Sequence, residues 1–324
     1  MSGVPEVSVV IGVRDAAALL PATLDSVLAQ EGVELELVVV DDGSADATPD
    51  LLAAYAARDA RVRVVRQEPA GLTAALARGC AAARGELVAR QDAGDLSLPG
   101  RLSRQAKAFA SHPELVLASC WTAMVAPEGE PLWIERGGAP VDAPVSMFGA
   151  AGREWVGPTS HGSAIFRRAA YETVGGYRAE FTLGQDWDLW LRLGERGRFL
   201  MVGDALYRRR LDPESLSLRH RELQHAFGEA SSDASRLRRA GASEAPALGR
   251  ARELSARFAA AARRPSSRSS AAGWYHVGEA LRRAGHASAR RYVGEALRRD
   301  PLLARAWVRW LQTLLSRRRA EAGR

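Results

Sequence analysis

The sequence predicts an α/β fold: a mixed, mainly parallel, doubly wound sheet flanked by helices, followed by an all-α C-terminal extension. Three observations lead there. Short apolar, β-branched runs alternate with helical spacing over the first 120 residues, the order that builds a sheet covered on both faces. Acidic motifs stand directly after the second and fourth of these runs, where open α/β sheets bind their ligands. After about His220 the chain becomes Ala- and Arg-rich with helical periodicity.

The strands are expected at Val7–Val13, Leu35–Val40, Arg61–Val65, Glu86–Arg90 and Leu115–Ser119, each an apolar run too short for a helix. Helices are expected between them. Leu19–Gln30 repeats apolar residues at helical spacing, and Asp46–Ala57 has Asp46 as a cap with Pro49 in its first turn. Gly71–Ala83 and Arg101–Ser111 complete the alternation. From Trp121 to Val156 the pattern gives way to Gly/Pro-rich loops and short strands. It becomes regular again at Ser163–Phe166 (strand), Arg167–Val174 and Gln185–Arg196 (helices) and Phe199–Val202 (strand). The expected organisation is a catalytic domain over residues 1–220 and a basic helical extension over 221–324. That extension holds a linker at Arg264–Ser270 and one helical hairpin of tetratricopeptide type between Trp274 and Trp307.

Charge divides along the same line. The net charge is +7, yet from Arg250 onward there are 18 Arg against 5 acidic residues, so the tail is +13 and the remainder −6. Such a tail suits attraction to anionic lipid at a membrane surface. Its arginines recur in pairs at Arg282-Arg283, Arg290-Arg291 and Arg298-Arg299, alternating with Ala and Leu. That spacing suits solvated helix faces, and nucleic acid is not an expected partner. No apolar run is long enough to span a bilayer. The start lacks a basic leader, so the protein reads as cytoplasmic, at or near the inner face of the membrane. Cys80 and Cys120 form no metal or redox motif and read as buried small hydrophobes.

Three motifs carry chemistry. Asp41-Asp42-Gly43-Ser44 places two carboxylates at a strand end, where a base amide and ribose hydroxyls are suitable donors. Arg90-Gln91-Asp92-Ala93-Gly94-Asp95 does the same after the fourth strand. Carboxylates so spaced suit a divalent cation, Mg²⁺ or Mn²⁺, shared with diphosphate oxygens. Gln185-Asp186-Trp187-Asp188 opens an amphipathic helix, and the helix dipole there favours an ionised Asp186, as a general base requires. Each motif alone also reads as an ordinary polar turn or helix cap.

Their order and spacing resemble the family 2 glycosyltransferases of the GT-A fold, the bacterial inverting type. Leu24-Asp-Ser-Val-Leu-Ala-Gln30, Val38-Val-Val-Asp-Asp-Gly-Ser44 and the run from Ala89 to Leu102 carry the likeness in the first half. His161-Gly-Ser-Ala-Ile-Phe-Arg167, Val174-Gly-Gly-Tyr177 and Gln185-Asp-Trp-Asp-Leu-Trp-Leu-Arg192 carry it in the second, one collinear series over residues 5–218. The resemblance implies a sugar transfer from a UDP- or dTDP-sugar to a hydroxyl of a glycan or lipid-linked acceptor, in surface polysaccharide synthesis. It implies Asp41, Asp42 and Asp92, with Arg90 and Arg14, toward the nucleotide-sugar, and Asp186 as base. His161, Gln185, Arg208 and Arg210 fall on the acceptor and phosphate side. Asp92, with Asp95, would take the cation.

Three positions depart from the family pattern. Gly94 stands at the second Asp of Asp-x-Asp, so Asp95 substitutes or the site uses little metal. Gln185 replaces a Glu. Arg208, Arg209 and Arg210 stand where a late His is common, which suits arginine sharing the cation's work. The processive members' Gln-x-x-Arg-Trp motif is absent, so one sugar per encounter is expected. Two rivals stay open: a catalytically silent binding protein on the same fold, and a nucleotidyltransferase, for which the glycine-rich phosphate loop is missing.

Overall fold

The computed structural model describes residues 4–149, 154–262 and 267–322. The β-strands are β1 (Val7–Val13), β2 (Leu35–Asp42), β3 (Val62–Gln67), β4 (Leu87–Arg90), β5 (Leu96–Ser97), β6 (Leu115–Val125), β7 (Pro131–Glu135), β8 (Ile165–Arg167) and β9 (Arg198–Arg210). They form one nine-stranded sheet in the order β3-β2-β1-β4-β8-β6-β9-β5, with β7 on β6. The pairs β1–β2, β2–β3 and β1–β4 are parallel, whereas β8 runs antiparallel to both β4 and β6. The first four strands are linked by α1 (Leu20–Leu28), α2 (Thr48–Arg58) and α3 (Leu72–Ala82), followed by α4 (Arg101–Ser111), α5 (Arg168–Thr173) and α6 (Gln185–Gly194).

Every residue of β2 is buried, because helices cover both faces of the parallel strands. That is why its sequence is a continuous apolar run and not an alternating one. One face of the sheet packs Val9, Ile11, Leu37 and Val39 against Leu20, Leu24 and Val27 of α1. The other packs Val10, Val38 and Val88 against Leu76 and Cys80 of α3. Both cysteines are buried, as the composition suggests.

The largest departure from the sequence reading is β9. Expected over four residues, it runs for thirteen, because its charged second half is paired to β5 through Leu96 and Ser97 and so needs no apolar run to hold it.

The chain also parts differently from a single cut at residue 220. One compact unit holds Met1–Ala123, Ile134–Arg209 and Phe227–Ser255; the other holds Met124–Trp133, Arg210–Ala226 and Ala256–Arg324. In the first, α8 (Arg221–Arg239) buries Phe227, Gly228, Ala230, Ser231, Ala234 and Ser235. Phe227 packs on Phe181 and Gly228 abuts the Trp187 ring. Glu244, before α9 (Ala245–Ala262), takes both amino groups of Arg178 at 2.9 Å. A stripe of Ala, Gly and Ser is a weak apolar signal in sequence, yet it allows close helix approach.

In the second unit α7 (Leu216–Arg219), α10 (Ser267–Arg283), α11 (Ala289–Arg299) and α12 (Ala304–Ala322) follow. Here α10 and α11 form a hairpin with Gly278 against Val293. Of the linker expected at Arg264–Ser270, residues 264–266 lie outside the described residues, and from Ser267 the chain is helical. Among the described residues no helix is long and apolar enough to cross a membrane.

Candidate active site

The carboxyl ends of β1, β2 and β4 bring the first two acidic motifs to one edge of the sheet. Strand alternation separates Asp41 from Asp42. Asp42 is held by Gln67 Nε2 and Ala70 N, both at 2.7 Å, and by Gly71 N at 2.8 Å. Its carboxylate therefore fastens the β3–α3 loop. Asp41 accepts from Ser44 N at 3.0 Å and lies 3.5 Å from Arg66 Nε, and its Oδ2 is buried without a hydrogen-bond partner. Next to this pair is an open cavity of about 560 Å³, lined by Gly43, Ser44, Arg66, Gln67, Pro69 and Arg78 among others. Arg14 is exposed on the loop after β1, 3.8 Å from Asp15.

The β4 motif is built on two buried guanidinium groups. Arg90 is fully buried. It donates to Val10 O, to Gln91 O at 3.2 Å, to Asp92 Oδ1 at 2.8 Å and to His161 Nε2 at 3.3 Å. With its donors so used it positions Asp92 and His161, and the direct nucleotide contact assigned to it by resemblance is corrected. Arg101, the first residue of α4, is equally buried. It donates to Gln91 Oε1, Ser97 Oγ, Arg90 O and Gly162 O. Arg101 also lies over the Tyr207 ring.

Asp92 is the exposed carboxylate of the motif, its side chain 37% accessible. Burial works against its charge, but Arg90 first, then Arg209, hold it below the usual carboxylate range. Asp95 is buried, and its Oδ2 accepts the Tyr207 hydroxyl at 2.9 Å. The expectation that Asp95 stands in as a metal ligand is therefore corrected, because this carboxylate fastens β9 to the loop. Gly94 has φ +89 and faces Leu19. An aspartate in this backbone conformation would be strained.

Asp186 lies in the first turn of α6, partly exposed, its Oδ1 accepting Trp187 N at 3.0 Å. Burial pushes its carboxyl up to about 6, against the Trp187 N–H; the charge of Asp92 adds to the rise and Arg209 opposes it. Burial thus outweighs the helix terminus, contrary to the sequence expectation, and leaves a carboxylate ionised at neutral pH but close to its proton. Its neighbour Asp188 is buried and paired with Arg192 and Arg178, so it is structural.

His161 sits on the short 3₁₀ turn His161–Ser163. Burial, then Arg90 and Arg209, lowers it to about 3, so it is neutral. Arg90 can only donate, so Nε2 carries the lone pair, accepts also from the Tyr177 hydroxyl at 2.8 Å, and Nδ1 bears the proton.

Asp92, Asp186 and His161 thus share one electrostatic field with Arg209. Arg208 and Arg210 do not enter it. On a strand, Arg209 shares a face with buried Tyr207 while Arg208 and Arg210 point the other way. Arg208 is exposed, and Arg210 donates to Pro127 O at 2.9 Å. Of the three, Arg209 is the one whose charge acts on Asp92, His161 and Asp186. Gln185, beside Asp186, is buried. The sequence offers Arg209 only as one of three consecutive arginines and assigns no role to Arg101, Tyr177 or Tyr207. Period-two alternation would have found Tyr207 and Arg209 had β9 been read to its full length.

Gly162 shows how tightly this centre is built. A Cβ there would lie 1.8 Å from the Tyr207 hydroxyl and 2.4 Å from its ring. Gly162→Ala is expected to destabilise the first unit by at least about 1–3 kcal/mol. Urea denaturation followed by circular dichroism checks this; an unchanged midpoint would mean that Tyr207 moves aside freely.

The chain matches the model of the family described as Glycosyl transferase family 2 over residues 8–175. The chain belongs to that family. The protein EpsE of Bacillus subtilis (strain 168), named as a glycosyltransferase, is 31% identical over 226 residues, which are 68% of this chain and 78% of EpsE. The succinoglycan biosynthesis protein ExoO of Rhizobium meliloti (strain 1021) is 44% identical over 105 residues, covering 31% of this chain and 29% of that protein. Among solved structures, the mannosyltransferase PcManGT from Pyrobaculum calidifontis in complex with GDP-Man and Mn²⁺ superposes with a TM-score of 0.54. It is 20% identical, covering 95% of this chain and 87% of that one. S. aureus TarS 1-349 in complex with UDP-GlcNAc gives 0.55 at 16% identity, covering 95% and 89%. These likenesses give the GT-A fold. The family 2 chain is a glycosyltransferase, and of the readings left open by its sequence the enzyme stands.

Proposed function

We propose that this glycosyltransferase moves one sugar, with inversion, from a nucleoside-diphosphate donor, UDP- or dTDP-linked, to a hydroxyl of a glycan or lipid-linked acceptor in polysaccharide assembly. The observation that carries the reading is Asp186, a carboxylate with its pKa raised to about 6, set in one field with Asp92 and Arg209. Asp186 removes the proton of the acceptor hydroxyl as that oxygen attacks the anomeric carbon. The bond from that carbon to the diphosphate oxygen breaks, and the nucleoside diphosphate leaves with the electron pair. Arg209 faces the charge that builds on the leaving group. His161 stays neutral beside it and keeps Tyr177 in place. Asp41 and the cavity beside it are suited to the base and ribose, with Asp41 Oδ2 buried, without a hydrogen bond and 3.5 Å from Arg66 Nε.

The donor set suits a divalent cation held by Asp92 alone. Its Oδ1 faces Arg90, which leaves Oδ2, and one carboxylate with phosphate oxygens is an ordinary Mg²⁺ arrangement. Bound there, the cation would supply electrostatic neutralisation of the diphosphate. The GDP-Man and Mn²⁺ of PcManGT and the UDP-GlcNAc of TarS support a nucleotide-sugar donor. The basic tail suits a loose contact with an anionic membrane bearing the acceptor.

Thermal melts with UDP-, dTDP- and GDP-sugars, each with and without Mn²⁺, test the donor. A ligand at 100 times its dissociation constant stabilises by about 2.7 kcal/mol. The expected result is a rise for one uridine or thymidine donor, enlarged by Mn²⁺. A flat response to all of them would refute the reading.

A further inference from the structure

The second unit contains a cavity of its own, about 650 Å³, formed by the α7–α8 junction, α10 and α12. Its lining is cationic. Arg219, Arg221 and Arg305 line it against one acid, Glu222. Among the described residues Arg221 has no ion pair and Arg305 only lies over the Tyr275 ring, whereas Arg219 Nε lies 4.0 Å from Glu214 Oε2. The first turn of α8 borders the same space through Arg221, Glu222 and Leu223, so the positive end of a nineteen-residue helix adds to the field.

We propose that this cavity binds a phosphate-bearing ligand, with Arg221 and Arg305 gripping the phosphate and Tyr275 beside it. Two histidines on the wall feel the neighbouring cations. After burial, Arg219 lowers His220, and Arg221 with Arg283 lowers His276. Elsewhere in this unit Arg282 and Arg283 are matched by Glu279, Arg298 and Arg299 by Glu295 and Arg291 by Glu128, while Arg290 lies over the Trp310 ring. Arg221 and Arg305 are left unmatched around a concave space large enough for a phosphorylated head group. Phosphate is favoured over a single carboxylate because the two unmatched guanidinium groups supply more donors than two carboxylate oxygens use. The ligand has two possible sources, a soluble phosphate or a lipid phosphate at a bilayer surface. The site lies wholly in the second unit and does not rest on the transfer reaction.

The test uses the full chain, its Arg221→Gln and Arg305→Gln variants, and Arg298→Gln as a control away from the cavity. Both cavity arginines are exposed, so the variants should fold, which circular dichroism verifies. Inorganic phosphate is titrated calorimetrically, and vesicles of phosphatidylcholine carrying either phosphatidic acid or phosphatidylserine are tested by flotation. The expected result is binding weakened about tenfold or more by each cavity variant and unchanged in Arg298→Gln. Phosphate binding with that dependence identifies a soluble ligand. Binding confined to phosphatidic acid vesicles, with the same dependence, identifies a lipid phosphate. No binding in either arm, equal binding to the two vesicle types, or binding that Arg209→Gln abolishes while the cavity variants do not, overturns the proposal.

Discussion

Asp186→Asn is expected to lower the transfer rate by about 10²–10⁴-fold, the usual contribution of a positioned general base, while leaving donor affinity within a few-fold of the parent. The amide keeps the shape of the carboxylate and its hydrogen bond from Trp187 N, but it cannot take a proton. The parent enzyme should show kcat/KM rising with pH through about 6 and level above it, because burial, helped by Asp92, holds the carboxyl there. The variant's residual rate should lack that limb. Stability moves the other way. A carboxyl whose pKa is higher in the folded than in the unfolded chain adds stability that is fully present below the unfolded value and lost as pH rises through about 6. At pH 7–8 the parent has lost it, so Asp186→Asn should melt higher, by a few degrees if about 1 kcal/mol is recovered. Lower activity with higher stability is the signature of a strained functional acid, and a merely structural aspartate would lose both. Initial rates and melts over pH 5–9 supply both readouts. A variant with the parent's rate would remove Asp186 from the chemistry.

The acidic motifs were legible in the sequence because they sit at strand ends in a fixed order, and the apolar runs before them could be nothing but buried strands. What escaped was everything whose meaning depends on which way a side chain turns. Asp95 follows Asp92 by three residues and looked like its companion, yet it faces Tyr207 and the core. Arg208, Arg209 and Arg210 are one run in sequence, and only the register of β9 against β5 selects the middle one. The resemblance put Arg90 toward the nucleotide-sugar; its burial shows when Val10 O, Gln91 O, Asp92 and His161 are seen to surround it. The boundary at residue 220 failed for a similar reason. The Ala, Gly and Ser face of α8 carries little hydrophobic signal until Trp187 lies across it.

Arg101→Met is expected to produce the largest loss of stability of any single change at this centre, about 3–5 kcal/mol. The guanidinium is fully buried, and burial holds its pKa below the usual arginine value, yet its fork satisfies four buried acceptors: Gln91 Oε1, Ser97 Oγ, Arg90 O and Gly162 O. Methionine fills much of the volume and leaves the two carbonyls and the Gln91 oxygen without this donor, each a penalty of about 1–3 kcal/mol before relaxation. Lysine should rescue little, since a single ammonium cannot span acceptors set around a planar fork. By contrast Arg104→Met, three residues on and paired with Asp204 at the surface, should change stability by no more than about 1 kcal/mol. The same substitution at 101 also frees Gly162 O beside His161, so kcat should fall even where the protein remains folded. Denaturant melts of the three variants, with rates measured well below each midpoint, decide the matter. If Arg101→Met melts within about 1 kcal/mol of the parent, the two carbonyls must find water, and the rigidity ascribed to this buried pair of arginines is not what holds Asp92 and His161 in place.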